Sequence, residues 1–312
     1  MTNEQYKSVF FSPGFFLEKY YGWRCVHQEP GIRVIRKAFR PFHKTLFMCQ
    51  AIDDQRLSFL VNDCRFIGAT GVDVIHDFSR PPDEAGVSLG GRQFAYMQND
   101  KLLTGGTFVI NLDESEEVLW SNLEPNSRNR VRRATKCGVH VRISSQLCQE
   151  DLASFLEFYR PLAARVGLDI PEKKVLERMI EAGDLITASA LASNSSLVAV
   201  SLIYLCPPYA FEVWAASARN RTKGAGHLLK WESTRWLKTR GLKWFDLGGI
   251  VTTDRADTLY AFKKSLGGRY VSLGSEYRWM GHVAKPVYPI FRQVKRLIRR
   301  QNYFAATGYD TV

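Results

Sequence analysis

The sequence predicts a mixed α/β fold of the α+β kind, in which a mixed sheet is flanked by helices. Three observations carry that reading. Hydrophobic residues make up 45% of the 312, enough for a sizeable buried core. From Val139 onward the patterns run strand, two helices, three strands, helix, strand, helix, strand, judged by the switch between periods of 2 and 3.6. Glycines stand at the joints, at Gly138, Gly224, Gly226, Gly241, Gly248-Gly249 and Gly267-Gly268. A chain of this length makes one large domain or two of ~100–200 residues. The expected division is 1–106, 107–281 and a tail, 282–312.

Up to about Gly106 the pattern is irregular. Phe10-Phe11 and Phe15-Phe16-Leu17 form an aromatic cluster around Pro13-Gly14, suited to core packing. Arg33–Arg36, Thr45–Met48, Leu57–Leu60 and Val72–Ile75 read as strands, with turn signals such as Asp53-Asp54 between them. On residues alone this part is a mixed α/β or β-rich domain.

Phe108 to Leu112 reads as a strand and Glu114 to Leu123 as a helix. Pro125-Asn126-Ser127 opens a short helix through Lys136, which Gly138 closes. Val139 to Ile143 alternates like a half-buried strand. Leu152, Phe155, Leu156, Tyr159, Leu162 and Val166 follow a helical period, and Pro171 begins a further helix. Ile186 to Phe211 is uncharged and long enough for a membrane helix, but Asn194-Ser195-Ser196 and Pro207-Pro208 cut it into strands of a meander. Helix follows over Leu228–Leu237, then a buried strand over Lys243–Leu247 stopped by Gly248-Gly249. A second helix covers Leu259–Leu266 and a last strand Arg269–Leu273.

Charge is unevenly placed. Arg128, Arg130, Arg132, Arg133, Lys136 and Arg142 form one block without an acid; Lys285, Arg292, Lys295, Arg296, Arg299 and Arg300 form another. Together they match the whole net charge of +12, which points to polyanionic partners. Arg128, Arg132 and Lys136 share one helix face; Arg130 and Arg133 share another. In the tail, Ile290, Phe291, Val294, Leu297 and Ile298 form an apolar stripe among the basic residues. Such a helix docks on its own domain or lies on an anionic membrane, and docking is the expectation. Met1 to Lys7 lacks the pattern of a secretion signal, so a cytoplasmic location is expected. The six cysteines show no paired spacing and are expected to be reduced and buried. Cys137-x-x-His140 is half of a metal pattern without its other half, so no metal is expected. There is no Gly-x-Ser-x-Gly nucleophile signature.

Arg221-Thr222-Lys223-Gly224-Ala225-Gly226 leads straight into a helix. Glycines admit close backbone approach, the first helical N–H groups lack partners, and Arg221 and Lys223 add positive charge. Such a loop suits a phosphate.

The element order, with Arg221-x-x-Gly224-x-Gly226 at the pyrophosphate-loop position, resembles the GNAT acyltransferase fold. Arg128-Asn129-Arg130-Val131-Arg132-Arg133-Ala134, Leu229-Lys230-Trp231-Glu232, Phe245-Asp246-Leu247-Gly248-Gly249 and Leu259-Tyr260-Ala261-Phe262-Lys263-Lys264 resemble its Fem-type branch more specifically. That branch comprises the peptidoglycan-bridge aminoacyltransferases. The resemblance covers Phe108 to Leu273 and implies a reduced second GNAT-like domain before it. It also implies N-acyl transfer to an amine acceptor, with aminoacyl-tRNA or acyl-CoA as donor and no tightly bound cofactor. The acceptor could be nucleotide-linked or a cell-wall precursor. Arg128, Arg130, Arg132 and Arg133 are candidates for phosphates of the acceptor or of tRNA.

Amide formation requires positioning and a stabilised oxyanion. Lys263 is placed to supply that charge, and the resemblance implies the same role, with the Phe262 carbonyl orienting the amine. Glu212, Asp246 and Tyr260 are candidates for proton handling. A second class of function is a non-catalytic RNA- or nucleotide-binding protein on a degenerate GNAT scaffold.

Overall fold

The computed structural model describes residues 9–12, 14–39, 42–49, 53–63, 72–76, 83–97, 105–145, 149–166, 168, 170–218, 224–250 and 252–281. Arg221, Lys223, Cys64, Cys148 and the basic tail from Lys285 to Arg300 lie outside these.

In chain order the first elements are α1 (Phe16–Tyr20), β1 (Trp23–Glu29), β2 (Ile32–Phe39), β3 (Phe42–Cys49), α2 (Asp54–Asn62), β4 (Val72–His76), β5 (Val87–Leu89) and β6 (Arg92–Tyr96). Then come β7 (Gly106–Asn111), α3 (Glu116–Asn122), α4 (Pro125–Lys136), β8 (His140–Ser144), α5 (Gln149–Val166) and α6 (Lys173–Glu181). They are followed by β9 (Leu185–Leu191), β10 (Leu197–Cys206), β11 (Tyr209–Ser217), α7 (Ala225–Thr239) and β12 (Trp244–Ile250). The last are α8 (Thr258–Lys264), β13 (Arg269–Ser272) and β14 (Ser275–Trp279).

The chain forms two compact units, one from residues 22–102 with 274 onward, the other from the first 21 residues with 103–273. This differs from the expected division at 106 and 281 in two ways. The amino-terminal aromatic segment packs in the second unit, and β14 joins the sheet of the first.

The first unit's sheet runs β1-β2-β3-β4-β14-β6-β5. β3 and β4 are parallel, from Thr45↔Val72 to Met48↔Ile75, with α2 in the crossover between them. Leu57 to Leu60 is therefore helix and not the expected strand. Asp53 caps α2 by accepting from the Arg56 amide at 2.7 Å, and Leu57, Leu60 and Val61 bury one helical face beside Ile32, Val34 and Phe47. Spacing of i, i+3, i+4 suits that face; the strand reading took too short a window.

The second unit's sheet runs β13-β7-β12-β11-β10-β9-β8. β8 to β11 form an antiparallel meander. The chain then crosses over through α7 so that β12 lies parallel to β11, and β7 pairs antiparallel with the far side of β12. The first unit repeats this order in shorter form: antiparallel strands, a helical crossover to a parallel strand, then an antiparallel strand from a distant part of the chain. The uncharged span is indeed cut into β9, β10 and β11, and among the described residues no helix is long and apolar enough to cross a membrane. The core lies between this sheet and α3, α4 and α7, with Ile186, Ile203, Phe245 and Leu247 below Leu228, Leu229 and Trp231. Trp120 of α3 meets Trp231 edge-on at 4.8 Å. Cys49 and Cys206 are buried as expected, whereas Cys25 and Cys137 are exposed. Cys137 caps the end of α4, outside the core.

The amino-terminal cluster is core packing. Phe10, Phe15 and Phe16 gather around Phe211, with centroid separations of 5.8, 5.9 and 6.1 Å. Asp184 anchors the segment by accepting from Lys19 and Tyr20, while Tyr204 donates to the Gly14 carbonyl at 2.9 Å. Replacing Asp184 with Ala removes a charged acceptor from these donors and should cost about 1–3 kcal/mol. Urea unfolding checks this; a loss below about 0.5 kcal/mol, the range of a neutral surface change, would show that the anchor carries no weight.

Candidate active site

β11 and β12 are paired only from Tyr209↔Trp244 to Phe211↔Asp246. Beyond that point each strand carries a bulge. On β11 the register with β10 jumps from Ile203↔Glu212 to Leu202↔Trp214, leaving Val213 without a partner there. On β12 the register with β7 runs from Asp246↔Val109 to Gly249↔Thr107, one residue too many on β12. A bulge bends its strand and increases the twist, so two of them at one point end the ladder and let the strands part. Gly248-Gly249, expected to stop the strand, instead forms this bulge within it. Gly248 has φ +77°, and a Cβ there would stand 2.6 Å from the Glu212 carbonyl oxygen. Only glycine tolerates both conditions.

Polar and charged side chains from several elements converge at the opening. Gly248 donates to Asp246 Oδ1 at 2.9 Å, a bond that holds the bulge. The Thr107 hydroxyl on β7 lies between Asp246 Oδ1 and the Gly248 carbonyl, 2.9 Å from the latter. Lys230 of α7 forms a buried ion pair with Glu212 and lies 3.1 Å from Ser201 Oγ; Ser201 also bonds to Glu212. Lys263 of α8 donates to the Gly248 and Gly249 carbonyls at 2.9 and 3.0 Å.

All four charged groups are buried, with Asp246 at 0% exposure and Lys263 at 7%. Two carboxylates face two ammonium groups, so the set is neutral when all are ionised. Burial pushes Lys263 down to about 8; Glu212 and Asp246 oppose that shift and Lys230 adds to it. An ammonium has three protons. Two are directed at carbonyls, and the third has no partner among the described residues.

α7 begins at Gly224, with φ +104° and no side-chain cap. A Cβ on Gly224 would meet the Arg130 carbonyl oxygen at 2.2 Å, so the start of α7 lies directly against α4. Gly226 faces Phe262, whose ring a Cβ would meet at 3.7 Å. His227, in the first turn, stands edge-on to Phe262 at 4.8 Å. Its Nε2 is 3.5 Å from the Arg130 guanidinium. Burial first, and then Arg130, pushes His227 down to about 4, so it is neutral near pH 7 and leaves the positive charge here to Arg130 and the helix dipole.

The structure thus brings together Glu212, Asp246, Phe262 and Lys263, and sets Gly224, Gly226 and Arg130 at the start of α7. The other described candidates lie outside this cluster. Arg128 donates to the carbonyls of Ser121 and Leu123, and Arg132 lies over the Trp120 ring at 5.3 Å; both tie α4 to α3. Arg133 is exposed. Tyr260 packs edge-on to Phe108 at 5.4 Å. Phe262's carbonyl accepts from Ser265 at 2.7 Å, and since a carbonyl has two lone pairs it keeps a second acceptor position. Sequence reasoning missed Lys230, Ser201, Thr107 and His227 as members of the site. Lys230 did leave a signal: Gly226, Lys230, Ser233 and Leu237 fall at i, i+4, i+7 and i+11, placing a lysine in the inward stripe of α7.

No protein-family model and no curated protein matches the chain. Among solved structures, that of FemX is similar over 88% of this chain and 91% of its own, at 14% identity and a TM-score of 0.59. A C-terminal domain assigned to lysylphosphatidylglycerol synthetase from Agrobacterium fabrum is similar over 88% and 89%, at 12% identity and 0.54. L-PGS from Bacillus licheniformis is similar over 91% and 95%, at 13% identity and 0.50. The fold is the Fem-type GNAT fold that the motifs led one to expect.

The bulge yields a stability test. Gly248→Ala must both adopt a left-handed backbone and relieve the 2.6 Å approach to Glu212. Gly241 also has positive φ but nothing within 4 Å of its Cβ position, so Gly241→Ala should cost only about 1–2 kcal/mol. Gly248→Ala should cost clearly more. Equal midpoints in urea would show that the approach of β12 to Glu212 is not tight.

Proposed function

We propose, on the premise of a Fem-type GNAT fold, that this chain is an N-acyltransferase that moves an aminoacyl group from tRNA to an amine. The observation that carries the reading is Lys263: a buried ammonium at the opening between β11 and β12, with one proton uncommitted among the described residues. The amine nitrogen attacks the ester carbonyl, and a C–N bond forms as the carbonyl becomes an oxyanion. Lys263 donates to that oxygen in surroundings of low dielectric, where a preoriented charge acts most strongly. The second lone pair of the Phe262 carbonyl accepts from the attacking amine. Collapse breaks the C–O bond to the tRNA ribose, and the proton lost by the amine ends on that oxygen.

The choice of an aminoacyl donor is supported by α4. Arg130 and Arg133 are exposed cations on the helix that abuts the start of α7, a combination suited to a nucleic-acid backbone. The names FemX and lysylphosphatidylglycerol synthetase point to cell-wall or lipid acceptors, so the acceptor to test is a cell-wall peptide amine, with phosphatidylglycerol, which offers a hydroxyl and no amine, as the comparison that an N-acyltransferase leaves unmodified. The deciding assay offers amino acid-labelled tRNA and labelled acetyl-CoA in parallel. Label transferred from tRNA supports the reading; transfer only from acetyl-CoA assigns the other donor, and transfer from neither leaves the binding-protein reading.

Three outcomes follow for the active protein. Lys263→Ala should lower kcat by roughly 10²–10³ with donor KM little changed, while Lys264→Ala, which removes an exposed cation from the same turn, should cost far less. Equal losses would remove any catalytic role specific to Lys263. Because burial holds Lys263 near 8, the ammonium predominates below that pH and is lost above it. kcat at saturating substrates should therefore fall as pH rises through about 8, and a flat profile there contradicts the role. Arg130→Glu with Arg133→Glu should weaken tRNA binding and flatten its salt dependence; an unchanged salt slope makes α4 a merely solvated surface.

A further inference from the structure

We infer that Lys230, acting through Glu212, is a positioning residue that fixes both the place and the charge of Lys263. The inference rests on the catalytic reading of Lys263 but is tested apart from it.

Four contacts carry it. Lys230 is 4% exposed and holds Glu212, itself 6% exposed, in an ion pair that Ser201 completes. Glu212 is the first residue past the last β11–β12 pair and adjoins the Val213 bulge. Its backbone carbonyl packs against Gly248, and the Gly248 carbonyl is an acceptor for Lys263. Lys230 therefore reaches Lys263 through Glu212 and Gly248.

Packing alone does not call for such an arrangement. A buried ion pair is often no more stabilising than apolar side chains of the same volume, and α7 otherwise fills its inward stripe with apolar and small residues. What the pair does is balance charge. The ionisable groups facing Lys263 are Glu212 from β11, Asp246 from β12 and Lys230 from α7, with Thr107 and Ser201 supplying neutral hydroxyls nearby. Without Lys230, Glu212 is an uncompensated carboxylate close to Lys263 and draws it out of place. Without Glu212, two ammonium groups repel each other across the opening. α7 also carries, one turn earlier, the helix start proposed to meet the donor, so the same helix places donor and charge.

The test uses Lys230→Met, Glu212→Gln, the double variant and Lys230→Arg in the full chain. Lys263 is titrated directly by NMR of the lysine side-chain carbon and nitrogen, which needs no turnover. Its midpoint should rise in Lys230→Met, fall in Glu212→Gln, and return toward wild type in the double variant and in Lys230→Arg. An unmoved midpoint in both single variants overturns the inference. Should Lys230→Met fail to fold, Glu212→Gln and the double variant still make the comparison, and equal midpoints in those two overturn it. In an active protein Lys230→Met should also lower kcat by roughly 10²-fold, as for a misplaced reacting group, with donor KM nearly constant. If the midpoints shift as stated but no variant or wild type transfers an acyl group, the charge-setting role stands and the acyltransferase reading falls.

Discussion

The parting of β11 from β12 is the constraint on which the rest of the site depends. Parallel neighbours in a sheet satisfy each other's backbone groups, and to separate them leaves donors and acceptors unpaired. The chain makes the separation with two bulges at one level, Val213 on one strand and Gly248 on the other. It then provides new partners. Asp246 accepts from Gly248, and Lys263 and Thr107 meet the carbonyls that face inward. Only a residue without a side chain fits where Gly248 approaches Glu212, so the opening is specified as closely as any core contact.

Those substitute partners are largely charged, which ties the geometry to chemistry. Each of the four buried ions is strongly disfavoured alone, by several kcal/mol of desolvation. Together they form a neutral set in which every charge has an opposite one nearby. The depressed Lys263 shows how incomplete that compensation is: burial outweighs the pull of Glu212 and Asp246. An ammonium held this way interacts strongly with any negative charge that develops beside it, because water does not screen it. The same desolvation that weakens its hold on a proton would strengthen its interaction with the oxyanion of the proposed transfer.

The second unit was legible in the sequence for local reasons. Turn residues, glycines at helix ends and a helical period define α3, α4, α7 and α8 without help from the rest of the chain. The expectation of an anion site at the start of α7 was equally local, resting on Gly224 and Gly226 with Arg221 and Lys223 beside them. What escaped depended on distant partners. Gly248-Gly249 looked like a strand end because a bulge is defined only by the strand opposite. The ion pair of Glu212 was not legible because its partner, Lys230, lies on another element 18 positions away. β14 was invisible for the same reason: Ser275–Trp279 becomes a strand by inserting between β4 and β6, which no local pattern announces.

Whether Lys263 receives the oxyanion at the opening between β11 and β12 is best decided by a structure with a mimic of the tetrahedral intermediate. A phosphonate carrying an amino acid side chain and joined to a 3′-terminal adenosine supplies the oxyanion in stable form. A phosphonyl oxygen should lie about 3 Å from Lys263 Nζ, the distance of an oxyanion donor, with the adenosine toward the start of α7. An analogue bound with that oxygen remote from Lys263, while Lys263 keeps only the Gly248 and Gly249 carbonyls, would contradict that role.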